Sequence, residues 1–184
     1  MKRKSLLLCL SLGILLVLFG LCAYFHQPKS AEEAVARYSK VVAEEIPRDL
    51  RLTIYYIKPW LLTRMPVSVE DLKTFTDVKK IVIESEELAE QAESLRMLDV
   101  SSLQPVEGDC YIDARLYYVF ERWNGRKILE VTSRGFGNYV FVNGYPVEHA
   151  SVLYELIDPF LTADDYNTLY TLPAEYGLSP SPSR

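Results

Sequence analysis

The sequence predicts an α+β domain, with a mixed or antiparallel sheet of about five strands and flanking helices, preceded by one N-terminal transmembrane helix. Three observations carry this expectation. Residues 6–25 are free of charge and proline. The strand-forming segments gather in a run with helical segments before and after, the arrangement of an α+β rather than an alternating α/β chain. One hairpin fixes its own register.

The apolar run Leu6 to Phe25 follows the basic start Met1-Lys2-Arg3-Lys4. At about 1.5 Å per helical residue it spans roughly 30 Å, the hydrocarbon thickness of a bilayer. A secretory signal has the same order, but a shorter core ending at a small-x-small site. The candidates here, Gly20-Leu21-Cys22 and Leu21-Cys22-Ala23, fit that site poorly. Cleavage and secretion stay open as the rival reading. Cys22 also raises a lipoprotein reading, against which stands Leu21 immediately before it. The basic start keeps the N-terminus cytoplasmic and places the remainder outside, and Tyr24 and Phe25 suit the outer headgroup belt. The expected organisation is a cytoplasmic start over 1–5, a signal-anchor over 6–25, a link over 26–29, an extracytoplasmic domain over 30–172 and a disordered tail over 173–184.

Three of the 20 Lys and Arg residues precede the apolar run, leaving 17 beyond it against all 25 Asp and Glu, a net charge of −8. That balance argues against nucleic acid, whose phosphates require a basic face, and mainly keeps a domain soluble. Cys9 and Cys22 lie in the apolar run, so Cys110 has no partner for a disulfide within the domain. No Asn-x-Ser/Thr sequon occurs, in keeping with a bacterial envelope.

Each element has a local cause. Ser30 and Glu33 form a capping box, and Ala31, Ala34, Tyr38, Val41 and Val42 recur at helical spacing to predict a helix over 31–45. Leu50, Leu52 and Ile54 alternate with Arg51, Thr53 and Tyr55 as in a half-buried strand. Ser68 caps a short helix bearing Leu72 and Phe75, and Val78 to Ile83 is β-branched enough for a strand. Ser85, Glu86 and Glu87 open a helix with Leu88, Ala92, Leu95 and Leu98 on one stripe.

Asn124-Gly125 predicts a two-residue type I′ turn. Pairing outward sets Phe120 opposite Leu129 and Tyr118 opposite Val131, on one face with Ala114 and Leu116. Asp113, Arg115 and Glu121 fall on the other face, and a one-residue slip would bury these charges. Tyr139 to Val142 predicts a further strand. Tyr145-Pro146-Val147 reads as an edge or a turn, because Pro146 lacks a ladder donor. Helices follow over 152–157, stopped by Pro159, and after Thr162-Ala-Asp-Asp165.

Candidate chemistry is sparse. Cys110 and His149 are the domain's thiol and imidazole, a pair that nucleophilic catalysis uses when the two meet; no local motif joins them. Asp109/Asp113, Glu148/His149 and Asp164/Asp165 are carboxylate-bearing pairs outside any calcium-loop or zinc-helix pattern, so no metal or cofactor is expected. Arg134-Gly-Phe-Gly-Asn138 sets a cation beside a glycine loop, but between two strands rather than before a helix, the setting of a hairpin loop more than of an anion cradle.

The aromatic content stands out, with 13 tyrosines. Tyr55, Tyr56, Trp60, Leu61, Leu62 and Met65 lie close together, and an exposed apolar face of this kind marks a binding surface; the competing reading is a lid folded over the core. The expectation is a non-enzymatic module binding another envelope protein or a small ligand. A hydrolase with an unrecognised site and a structural accessory subunit are the alternatives.

Overall fold

The computed structural model describes residue 28 and residues 30–45, 50–134 and 138–170. The expected anchor and tail, with Gly135 to Gly137 of the glycine loop, lie outside these. Among the described residues no helix is long and apolar enough to cross a membrane.

Among the described residues six strands form one antiparallel sheet: β1 (Leu50–Tyr56), β2 (Lys79–Ile83), β3 (Leu116–Arg122), β4 (Lys127–Ser133), β5 (Tyr139–Val142) and β6 (Tyr145–Glu148). Their spatial order is β2-β1-β3-β4-β5-β6. The sixth strand is the Tyr145-Pro146-Val147 piece, which takes the edge position open to a proline. A bridge between Pro105 and Val147 covers that edge.

The α-helices among the described residues are α1 (Ala31–Lys40), α2 (Val69–Thr74), α3 (Ser85–Glu90), α4 (Ala92–Arg96), α5 (Val152–Glu155) and α6 (Ala163–Tyr170). The amide of Glu33 donates to the Ser30 hydroxyl at 3.2 Å, so α1 starts where its cap predicts. It then widens into a π-helical turn, Val41–Glu45, in which Val41 and Val42 are both buried. The single helix expected from Ser85 is two, parted at Gln91. Pro159 does not simply end a helix; it opens a 3-10 turn, Asp158–Phe160, placing Phe160 against the core.

One sheet face carries the main core. Leu50, Leu52, Ile54 and Tyr56 of β1 join Tyr118, Phe120, Leu129 and Val131, packed beneath α1, α3, α4, α5 and α6. The phenol of Tyr38 donates to the carbonyl of Val152 at 3.2 Å, and that of Tyr118 to the carbonyl of Leu153 at 2.8 Å. Two buried hydroxyls thus find acceptors at the start of α5, as buried tyrosines require.

The opposite face is not simply solvated. Ile57, Val67, Leu72, Ala114, Tyr117 and Val119 form a second cluster, with Tyr55, Leu61 and Phe75 packed on it. Ala114 therefore joins this side rather than extending the Tyr118 face. Alternation is lost there because Ala114 precedes β3 and its amide is held instead by the carbonyl of Val67 at 2.7 Å.

The β3–β4 register is the expected one, with Phe120 opposite Leu129 and Tyr118 opposite Val131. Its turn is different. Gly125 alone has positive φ, +77°, and its amide donates to the Arg122 carbonyl at 2.8 Å. This is a three-residue loop with the glycine in the left-handed position. Such a loop alone would shift the pairing by one residue. A bulge between Phe120 and Glu121 restores it. The type I′ signature lies at Asn143 and Gly144 instead, with φ of 49° and 85° between the paired Val142 and Tyr145.

Candidate functional site

Beyond the ends of the central strands the ladder continues for one step. The amide of Ile57 donates to the Arg115 carbonyl at 2.9 Å, and the amide of Arg115 to the Ser133 carbonyl at 2.8 Å. The chain then leaves the sheet at Lys58 and returns at Val67. There the amide of Val67 donates to Asp113 Oδ1 at 3.0 Å, while its carbonyl receives the Ala114 amide. Residues 58–66 are thereby pinned at both ends and arch over the strand termini. The absence of any clear period in this segment has its cause here: it is neither helix nor strand, and tertiary bonds at its ends set its path.

The arch borders an open cavity of about 300 Å³, lined by residues 59–66 and by Tyr111, Asp113, Arg115 and Arg134. That volume is at the small end of ligand pockets. The walls contributed by the arch are largely apolar, and the floor is charged. Leu62 and Met65 stand at its rim, 88% and 75% exposed.

Arg115 Nη2 lies 3.2 Å from Asp113 Oδ1 and donates to the Thr63 hydroxyl at 2.9 Å. Only 6% of the Arg115 side chain is exposed, and its buried Nη1 has no hydrogen-bond partner among the described residues. Arg134 Nε is 3.4 Å from Asp113 Oδ2, and its Nη1 donates to the Tyr111 phenol at 2.6 Å. The Tyr139 hydroxyl receives the Tyr111 backbone amide at 3.3 Å and holds the main chain there. Two guanidinium groups thus share one carboxylate, with Arg64 exposed among the lining residues. The floor is locally positive in a domain whose overall charge is negative.

Of the sequence-predicted residues, Trp60, Leu61, Leu62 and Met65 come together around this cavity. Tyr55 and Tyr56 do not line it. Tyr55 lies on the second cluster, its ring centroid 6.2 Å from that of Tyr117. Tyr56 is buried in the main core and donates to Asp165. Arg134 is the cation singled out beside the glycine loop. Asp113 and Arg115, placed by alternation on a polar face, are buried because the arch covers that face. Their one signal in the sequence is the acid-x-base spacing at the mouth of a strand, which is weak by itself.

Cys110 is half-buried and free. The His149 ring packs on Tyr154 at a centroid distance of 5.1 Å, and burial pushes its imidazole below the ordinary histidine value. Among the described residues no hydrogen bond joins it to Cys110. No group of three or more metal-ligating side chains occurs among them either. Asp165 is a helix cap: its amide donates to the Thr162 hydroxyl at 3.2 Å, and that hydroxyl donates back to Oδ2 at 2.6 Å. No protein-family model matches the chain, and neither a curated protein nor a solved structure matches it.

Proposed function

We propose that this chain is a membrane-tethered extracytoplasmic binding module, which takes a small ligand, or a projecting group of another envelope protein, into the cavity under residues 58–66. The tether is the apolar run Leu6 to Phe25, with the N-terminus cytoplasmic. The observation that carries the reading is the arch itself. It holds Leu62 and Met65 toward solvent at the mouth of a cavity with a charged floor. Large apolar side chains at such a rim favour a ligand or partner, since water solvates them poorly.

The test uses the full chain solubilised from its native membranes and the Trp60→Ala/Leu62→Ser variant, with folding of both confirmed. Mass spectrometry should find a species that co-purifies with the wild type and is depleted from the variant. Equal recovery from both would place binding elsewhere and end this reading. Protease protection in sealed vesicles checks the topology: cleavage in the folded domain from the cytoplasmic side would refute the assigned orientation.

A further inference from the structure

The sheet has two edges, and the fold closes one of them. Beside β6 the amide of Val106 donates to the Pro146 carbonyl at 3.1 Å, and that of Glu148 to the Gln104 carbonyl at 2.8 Å. Pro146 itself brings no donor to that edge. At the other end of the strand order stands β2, with which, among the described residues, only β1 pairs. We infer that the outer edge of β2 is a dimer interface, on which β2 of a second copy pairs antiparallel about a twofold axis at Val82. The contact is separate from the cavity and stands or falls without it.

The side chains of β2 set the register. Ile81 and Ile83 turn to the main core, while Lys80 lies on the other face, 5.5 Å from the centroid of the Tyr55 ring. Val82 shares the face of Lys80 and is 42% exposed. Glu84 continues the extended backbone, with φ −87° and ψ 166°, so it falls on that face too. Residues directly opposite in an antiparallel pair share a face, and a twofold axis normal to the sheet keeps the faces of both copies aligned. Centring on Lys80 would then oppose two lysines, and centring on Ile81 would set Lys80 against Val82. Centring on Val82 sets Val82 against its own copy, Ile81 against Ile83, and Lys80 against Glu84. Symmetry supplies each unlike pair twice. This register alone covers the exposed valine and gives Lys80 an acid.

Monomers blunt an open edge with aimed charges, proline or a bulge. Here Lys79 is drawn to Asp165 of its own domain at 3.0 Å, and Lys80 rests on Tyr55 yet stays exposed. Neither a proline nor a bulge interrupts residues 79–83. Arg51, the base near Glu84, bonds instead to Glu121 at 3.1 Å. Both copies carry Pro28 at one height along the axis, as two chains tethered in one bilayer would. The paired segment is short, residues 79–85 of each copy, and buries less than the standard interface of about 1,600 Å², so the dimer is weak.

Sedimentation equilibrium of the full chain in density-matched detergent tests this, with circular dichroism to confirm the fold of each variant. The wild type is expected as monomer and dimer in exchange, with a Kd between about 10 μM and 0.5 mM. Val82→Lys sets two like charges on the axis and should weaken the dimer at least about tenfold. Lys80→Glu and Glu84→Lys each replace two attractions by two repulsions, and each should weaken it about fivefold or more. Combined in one chain they restore unlike pairs, and the Kd should return to within about threefold of the wild type. Lys80 and Glu84 are exposed, so their variants serve even where Val82→Lys fails to fold.

A chain still monomeric at about 0.5 mM overturns the inference. A dimer that a folded Val82→Lys leaves unchanged does the same, and places the contact elsewhere. So do single charge reversals without effect, or ones whose losses the combined variant fails to recover.

Discussion

The phenol of Tyr56, last residue of β1, donates to the carboxylate of Asp165 in the first turn of α6, 109 residues further along the chain. Lys79 Nζ of β2 reaches the same carboxylate at 3.0 Å. One acidic side chain therefore caps its own helix and ties that helix to two neighbouring strands. Burial pushes the Asp165 carboxyl up, but bonds from Thr162, Tyr56 and Lys79 outweigh it and hold the carboxyl well below the usual carboxylate range. A carboxyl depressed in the folded state contributes stability above its unfolded pKa of about 3.9, and that contribution is lost as pH falls toward the folded value.

Asp165→Asn should accordingly cost about 1–3 kcal/mol near neutral pH, the loss of a cap and a charge-assisted bond. Urea titrations at a series of pH values check it. The gap between wild type and variant is expected to narrow as pH drops below about 4. A gap that holds constant into that range would refute the assignment.

Tyr118→Phe is expected to destabilise by about 1–2 kcal/mol, because it removes a buried donor and leaves the Leu153 carbonyl without it. Tyr38→Phe does the same to Val152 across a longer bond and should cost less. Thermal unfolding of the two single variants ranks them; the reverse order would mean that packing, not hydrogen bonding, dominates at α5.

The ion pair under the arch makes an asymmetric prediction. Asp113→Ala leaves Arg115 buried without its counter-charge, a loss on the order of 3–5 kcal/mol. Arg115→Leu should cost less, since Asp113 keeps the Val67 amide and Arg134. The double variant should recover much of the Asp113→Ala loss. A double-mutant cycle from denaturant midpoints reads this directly, and strict additivity would show that the pair is not coupled.

At the two positive-φ turns, Gly125→Ala and Gly144→Ala should each cost about 1 kcal/mol or more, as a Cβ is strained there even where space is open. Asn143→Ala should cost more than Asn124→Ala. Asn143 Oδ1 accepts the Glu130 amide of β4 at 2.8 Å, whereas Asn124 bonds only locally to Arg126. Equal losses would argue that Asn143 matters for its backbone alone.

Much of the sheet was legible because alternation and turn chemistry agree there. Phe120, Leu129, Tyr118 and Val131 must face one core, and no slip keeps them together. The turn type was not legible: a three-residue loop plus a bulge yields the same downstream pairing as a two-residue turn, so the apolar pattern cannot tell them apart. The cavity was half legible. Trp60, Leu61, Leu62 and Met65 announce themselves by composition. Asp113 and Arg115 read as solvated because charge on one strand face ordinarily means water, and only the path of residues 58–66 reverses that meaning. Tyr55 and Tyr56 show the limit of grouping by sequence proximity, since strand geometry sends adjacent residues to opposite faces.

The strand order has a consequence in time. From β3 to β6 each strand pairs with its sequence neighbour through a short connection, whereas β1 meets β3 only after the chain between Tyr56 and Leu116 has closed on itself. Short closures sacrifice less chain entropy and are searched faster. The meander should therefore form first and serve as the template on which β1, carrying β2, docks last. Conservative substitutions at Val131 and Val142 should then slow refolding, while those at Ile54 and Ile83 should chiefly hasten unfolding; stopped-flow φ values of the opposite order would place the nucleus at the β1–β2 edge.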